Sequence, residues 1–283
     1  MIRAASIFAL TVLAWASGPD LENARKLYQL TEFERSNQAL RSIPEKDRDG
    51  AVWELMGKNY YGLADYKKAT EVFEKALAIE PENSEFNLWM GRAYGRRAET
   101  SSMITAPGYA SKARQYFEKA AQLNPKNLEA QSDLFEYYLE APGFLGGGQD
   151  KAAATAADIA RINPAEGHWA QAKIAEKHKE YSKAEQHLRR AIEVAPHQIG
   201  RFIDLAKLLV KQGRIQEADQ SIARAEQIAP NTPKVVFAKA DLYIREKRNL
   251  NEARDLLKRY LSMTLTPDDP PRSQAEKLLK SSL

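Results

Sequence analysis

The chain contains no cysteine among its 283 residues. That absence excludes disulfides, thiolate nucleophiles and cysteine-ligated zinc, so packing alone has to hold the fold. Histidine is nearly as scarce: His168, His178, His187 and His197 are the four copies. They follow one another at intervals of nine or ten residues, whereas a helical metal site places two histidines four apart. They are therefore expected as separate solvated groups, with no metal ion among them. An excess of one charge is also lacking. Forty-two Lys and Arg face 38 Asp and Glu, for a net charge of +4. Doublets such as Arg96-Arg97 and Arg189-Arg190 stand isolated, which is a poor footprint for nucleic acid, and no nucleic-acid partner is expected.

Long apolar runs are missing except at the start. There Arg3 precedes AASIFALTVLAWA, and Ala14-Trp15-Ala16 offers the small residues that a signal peptidase accepts. The run is shorter than the roughly 20 residues needed to span a bilayer. Residues 1–16 are therefore expected to be a cleaved secretory signal, with no lipid-modified cysteine behind it, no later membrane span, and a mature chain that is periplasmic or secreted. Without Arg3 the formal charge becomes +3, from 41 basic and 38 acidic residues.

Catalytic and cofactor motifs are absent as well. The one candidate is the glycine cluster GFLGGGQDK at 143–151. A phosphate loop of the form G-x-x-x-x-G-K-[ST] needs a lysine for the phosphates and a hydroxyl for magnesium. Here Gly148 is followed by Gln149 and Asp150, so both are missing, and a helical pattern rather than a strand precedes it. The cluster reads as a turn between two helices, with Asp150 capping the second and the glycines supplying positive φ. Phe144 and Leu145 then either fold back onto a neighbour or, with a second long turn at Met103–Tyr109, meet a partner. No nucleophile stands beside a histidine and an acid, and the carboxylates are too many to single out a pair. No cofactor is expected.

What the chain does have is a recurrent ending. ALAIEP, AAQLNP, IARINP, AIEVAP and AEQIAP close at Pro81, Pro125, Pro164, Pro196 and Pro230, spaced 44, 39, 32 and 34 residues apart. Proline stops a helix, and periods in this range mark stacked repeats. Within residues 50–83, Trp53, Met56, Gly57 and Tyr60 share one helical face, and Ala69, Phe73 and Ala76 share a second. This alternation of large and small residues closely resembles the tetratricopeptide repeat. Residues 199–232 give a second undisturbed copy, with Phe202, Leu205, Ala206, Leu209, Ala218, Ile222, Ala225 and Pro230 in the equivalent places. Residues 84–127 keep the pattern with ten extra residues, read as a stretched turn over 96–112.

The resemblance implies an all-α, right-handed α-solenoid of about seven helix pairs. The units are expected near 17–49, 50–83, 84–127, 128–164, 165–198, 199–232 and 233–266, with a capping helix in 270–283. It also implies that the first helix of each pair lines a concave face. The position after the conserved small residue reads Lys58, Arg92, Glu136, Lys173, Lys207 and Asp241. Four residues on, the same face carries Gly62, Arg96, Glu140, Lys177, Lys211 and Arg245. Basic stripes are therefore expected there, with Tyr61, Trp169 and Phe237 as apolar contacts and Trp89 in either groove or core. Glu54 and Lys58 stand where carboxylate-clamp members of the family carry Lys and Asn, so that activity is not carried over. The implied function is a non-catalytic scaffold for peptide segments or partner proteins, acidic ones included, in a bacterial cell-envelope assembly. The alternative is a groove hydrolase or transferase, or an accessory subunit that positions a polysaccharide or lipid.

Overall fold

Each proline of the recurrent endings sits two residues beyond the last turn of a helix, and that spacing sets the architecture. The structure is a computed structural model that describes residues 18–281; the candidate signal at 1–16 lies outside the described residues. In chain order the pairs are α1 (Gly18–Gln29) with α2 (Phe33–Arg41), α3 (Gly50–Gly62) with α4 (Tyr66–Ile79), and α5 (Ser84–Thr100) with α6 (Ala106–Leu123). There follow α7 (Leu128–Glu140) with α8 (Gln149–Ile162), α9 (Pro164–Lys177) with α10 (Tyr181–Val194), α11 (Ile199–Lys211) with α12 (Ile215–Ile228), and α13 (Pro233–Arg245) with α14 (Leu250–Ser262). One more helix, α15 (Arg272–Ser281), lies against α14, and no strand occurs among the described residues. Each helix packs on the one before and the one after, so the chain is an all-α solenoid.

The helix starts are fixed by short polar side chains that accept from otherwise unpaired first-turn N–H groups. Asp49 accepts from Val52, Asp65 from Lys68, Asn83 from Glu85 and Phe86, and Asn127 from Ala130. In five of the seven pairs the chain reverses through one left-handed residue, as at Ala64 (φ 59°), Lys179 (φ 62°) and Gly213 (φ 73°).

Small residues on one helix make room for large ones on the next. A Cβ at Gly57 would stand 2.5 Å from the Phe73 ring, and one at Gly91 would stand 2.6 Å from Phe117. Glycine at these places is thus a seat for a buried ring on the second helix of the pair. Ala69, Ala76, Ala113, Ala120, Ala218 and Ala225 are buried at seven-residue spacing on the second helices, and they let neighbouring helices approach. Trp53 is core, with Lys75 and Arg48 lying over its ring at 4.4 and 5.0 Å.

Four expectations are corrected. The extra residues near 96–112 are mostly helix: α5 and α6 have 17 and 18 residues, against 13 and 14 in the preceding pair, and the turn itself is only 101–105. Asp150 does not cap α8, because the helix begins at Gln149 and Gly148 takes the cap position without a side-chain bond. Left-handed backbone in the glycine cluster is confined to Gly146 (φ 86°), whereas Gly147 is needed because a side chain there would collide with the Ala141 carbonyl. Leu145 is half-buried and its carbonyl accepts from the Tyr137 hydroxyl at 2.9 Å, but Phe144 does not fold back and is 82% exposed.

The 32-residue interval also has a cause. From α4 onward the other pairs are joined by four residues, as in 80–83 and 195–198, and the first two pairs by 42–49, but α8 and α9 are joined by Asn163 alone. Pro164 therefore opens α9 rather than merely following α8, and Asn163 accepts from Ala165 and Glu166 while its own N–H donates to Ile159. Gly167 permits the close crossing, since a Cβ there would meet the Ala160 backbone at 2.5 Å.

Candidate functional site

The first helices of successive pairs touch one another from α1 to α9 and again between α11 and α13, and α9 is joined to α11 by the side-chain pairs Glu166–Arg201 and Glu176–Lys211, so the wall runs on across them. Residues spaced four apart on these helices share that wall, and the structure places the expected basic residues on it. It also places acids opposite them. Lys58 bonds Glu54 at 2.5 Å and Glu85 at 3.1 Å, and Arg92 bonds Asp133 at 2.5 Å and Glu129 at 2.8 Å. Both cations lie over the Trp89 ring, at 4.9 and 4.7 Å, and the indole N–H donates to Glu85 at 2.8 Å. Trp89 is thus a half-buried member of the wall. Tyr61 meets it edge-on at 5.4 Å, and burial pushes the Tyr61 hydroxyl up to about 12 against the pull of Arg96 and Arg92.

The remaining expected residues divide in the same way. Arg96 pairs with Glu99 and donates to the Tyr66 hydroxyl, Lys177 bonds Glu140 at 2.5 Å, Lys211 pairs with Glu176, and Arg245 bonds Asp241 at 2.8 Å. These pairs make the wall a ladder of alternating sign, which corrects the expectation of basic stripes interrupted only in the third unit. Asp133 and Asp204 stand three residues before Glu136 and Lys207, on the same helical face, so the face rule extended one turn back would have shown them. Phe237 is not in the groove either, because it is buried against Tyr260 with ring centres 5.2 Å apart.

Lys173 and Lys207 make no ion pair. They flank a depression of about 140 Å³ where α9, α11 and α13 meet, lined also by Trp169, Ala172, Leu242 and Asp204. Arg201 holds Asp204 at 2.8 Å and Glu166 at 3.3 Å and lies over Trp169 at 5.1 Å, so the floor is fixed by its own bonds. The packing of protein around Asp204 and around Glu136 pushes both carboxyls above the ordinary range, with Arg201 and Lys173 respectively the leading opposing charges. Groups raised in this way weaken the fold when ionised at neutral pH, and that cost disappears as pH falls through their folded values.

The histidines need one correction. His168 on α9 and His187 on α10 meet with Nδ1 atoms 3.3 Å apart, and burial together with His168 holds His187 below its usual value. Their sequence separation hides this contact, because antiparallel packing of the pair brings the two together. Among the described residues no group of three or more His, Asp or Glu is placed to hold a metal ion, and no helix is long and apolar enough to cross a membrane.

Two stretches of the chain match family profiles of the tetratricopeptide repeat, residues 50–83 and residues 175–242. Solved structures of similar fold include a tetratricopeptide repeat protein from Parabacteroides merdae, 15% identical with a TM-score of 0.61, covering 93% of this chain and 97% of that one. A thermophilic TPR protein from Thermus thermophilus is 19% identical with a TM-score of 0.56, covering 68% of this chain and 97% of that one. No curated protein matches the sequence.

Proposed function

We propose that this chain, which carries tetratricopeptide repeats stacked into a solenoid, is a non-catalytic scaffold that binds segments of partner proteins along its wall of first helices. The observation that carries the reading is the pair of lysines left without carboxylate partners, Lys173 and Lys207, at the rim of a depression with Trp169 and Leu242 in it. Most other charges of the wall are paired with one another and offer a ligand little, although Glu136 is an acid without an ion pair. Here an incoming Asp or Glu gains two cations while an apolar neighbour occupies the depression. A space of about 140 Å³ seats one large side chain, whereas sites for small-molecule substrates run to about 300–1,000 Å³. That size favours an extended or helical peptide over the hydrolase or transferase reading. Asp133 and Asp204 are moreover held by Arg92 and Arg201, which suits support better than proton transfer.

The place of action we propose is the bacterial cell envelope, periplasmic or secreted. It is supported by Arg3, the apolar run after it and the small residues at Ala14 and Ala16. N-terminal sequencing of the chain recovered from an exporting host should then begin at Ser17, and a retained Met1 would remove the export reading.

The binding reading is tested by panning a peptide library over the purified chain. Enrichment is expected for peptides that set an acidic residue beside a large apolar one, and Lys173→Glu/Lys207→Glu should weaken such peptides by about 100-fold, since each charge-assisted bond contributes roughly 1.5–3 kcal/mol. No enrichment, or equal affinity for both proteins, would defeat it. Neither lysine makes an ion pair, but Lys173 opposes the charge of the packed-in Glu136, so an unaltered circular dichroism spectrum and the milder Lys173→Gln/Lys207→Gln, expected to weaken the same peptides, separate lost binding from lost fold.

A further inference from the structure

The lengthened third pair carries a feature that the peptide-binding wall does not use. Helices α5 and α6 run past the preceding pair and close through 101–105, and at that tip Met103 is 93% and Ile104 91% exposed. These are the two most exposed large apolar side chains of the described residues. Across 96–112 the charged residues are Arg96, Arg97 and Lys112 against Glu99 alone. Glu99 is taken by Arg96. Neither Arg97 nor Lys112 has a carboxylate partner: Arg97 donates to the Tyr109 hydroxyl at 2.7 Å and to the Thr70 hydroxyl at 2.9 Å, and Lys112 lies over the Tyr94 ring at 5.0 Å. Tyr94 stacks on Tyr109 and Tyr116 at 6.1 and 5.7 Å, so a belt of phenols stands behind the tip.

Counted back from the apolar tip, Arg97 and Tyr109 stand about one helical turn away and Tyr94 and Lys112 about two, so cations and phenols share the same depth, as they do at the headgroup level of a bilayer surface above its acyl chains. We propose that the α5–α6 tip docks on an anionic lipid surface, with Met103 and Ile104 entering the acyl boundary and Arg97 and Lys112 meeting lipid phosphates. A lipid occupant fits better than a protein one because the tip is convex. Side chains more than nine-tenths exposed have no wall of their own protein beside them, and a fluid acyl layer needs no matching pocket. The positive balance selects anionic headgroups over zwitterionic ones. The tip lies at the edge where the two helices of a pair join, away from Lys173 and Lys207, so its failure would leave the peptide-binding reading untouched.

The lack of native cysteine gives a clean test. The full chain with Ile104→Cys, labelled with a polarity-sensitive fluorophore, is mixed with phosphatidylcholine vesicles with and without phosphatidylglycerol. Glu82→Cys, exposed in the α4–α5 turn on the opposite edge, carries the control label. The label at 104 is expected to shift to the blue and brighten severalfold on the phosphatidylglycerol vesicles alone, and to lose that response near 1 M salt, where the screening length falls to about 3 Å. The label at 82 should stay unchanged. Met103→Ser/Ile104→Ser should sediment with these vesicles at least about tenfold less well, with an unaltered circular dichroism spectrum. An unchanged spectrum at 104, equal responses at 104 and 82, or a shift produced by lipid-free envelope protein and by no vesicle would each overturn the proposal.

Discussion

Phe73→Ala is expected to cost about 3–5 kcal/mol of folding stability, read as a fall in the denaturant midpoint, because it empties a fully buried ring site. The loss should fall at the high end of that range. The Phe73 ring rests on Gly57 from below and stacks beside Trp89 at 6.4 Å, so neither neighbour can close the space without moving a helix. In a solenoid each unit is held by its neighbours alone, so the damage should be local. Amide exchange should speed up most in α3–α6, while α11–α14 keep their protection. Gly57→Leu alone should also destabilise, since its side chain would meet the ring. Combined with Phe73→Ala it should recover part of the loss, which a nonspecific effect at either position would not do.

Arg92→Ala is expected to cost about 2 kcal/mol at neutral pH by chemical denaturation. The side chains of Arg92 and Asp133 are only 20% and 23% exposed, and removing the cation leaves the carboxylate without its partner. Full burial would cost more, and the residual exposure reduces the figure. The pH dependence separates this cause from lost packing. Burial already pushes the Asp133 carboxyl above its ordinary range, with Arg92 as the main opposing charge. In the variant the carboxyl should rise further, so the deficit should be full above that value and shrink as acid protonates the group. A deficit that stays constant from neutral pH into the carboxylate range would show that Arg92 acts by packing. For the same reason Arg92 is a poor position at which to test ligand binding: its reversal would disturb the support between α5 and α7 before it changed the surface.

The architecture was legible because it rests on periodicities of side-chain size. Helix-stopping prolines, the Gly57 and Phe73 alternation and the second copy at 199–232 all depend on neighbours within one or two turns, and sequence spacing reports those directly. The extra ten residues were misplaced because a helix can be lengthened with Ala, Thr, Ser and Gly as readily as a turn can, and the flanking pattern does not say which. The candidate wall was legible only by halves. Its basic residues follow from the position after the small residue, and Glu54, Glu99 and Asp241 answer them from the same helix, but Glu85, Asp133, Glu140 and Glu176 come from neighbouring first helices, 27 to 41 residues away as in Lys58 with Glu85 and Arg92 with Asp133. Whether a lysine is spent on such a partner or left without one, as at Lys173, is decided by packing between units.

Asn163 has a mechanical consequence. One residue ends α8 and starts α9, so this joint has no slack, whereas four or more residues separate the other successive pairs. If the rod is flexed by a ligand or a surface, the strain must be taken up at those longer joints, and the fourth and fifth pairs will turn together as a single stiff coil in an otherwise pliant spring.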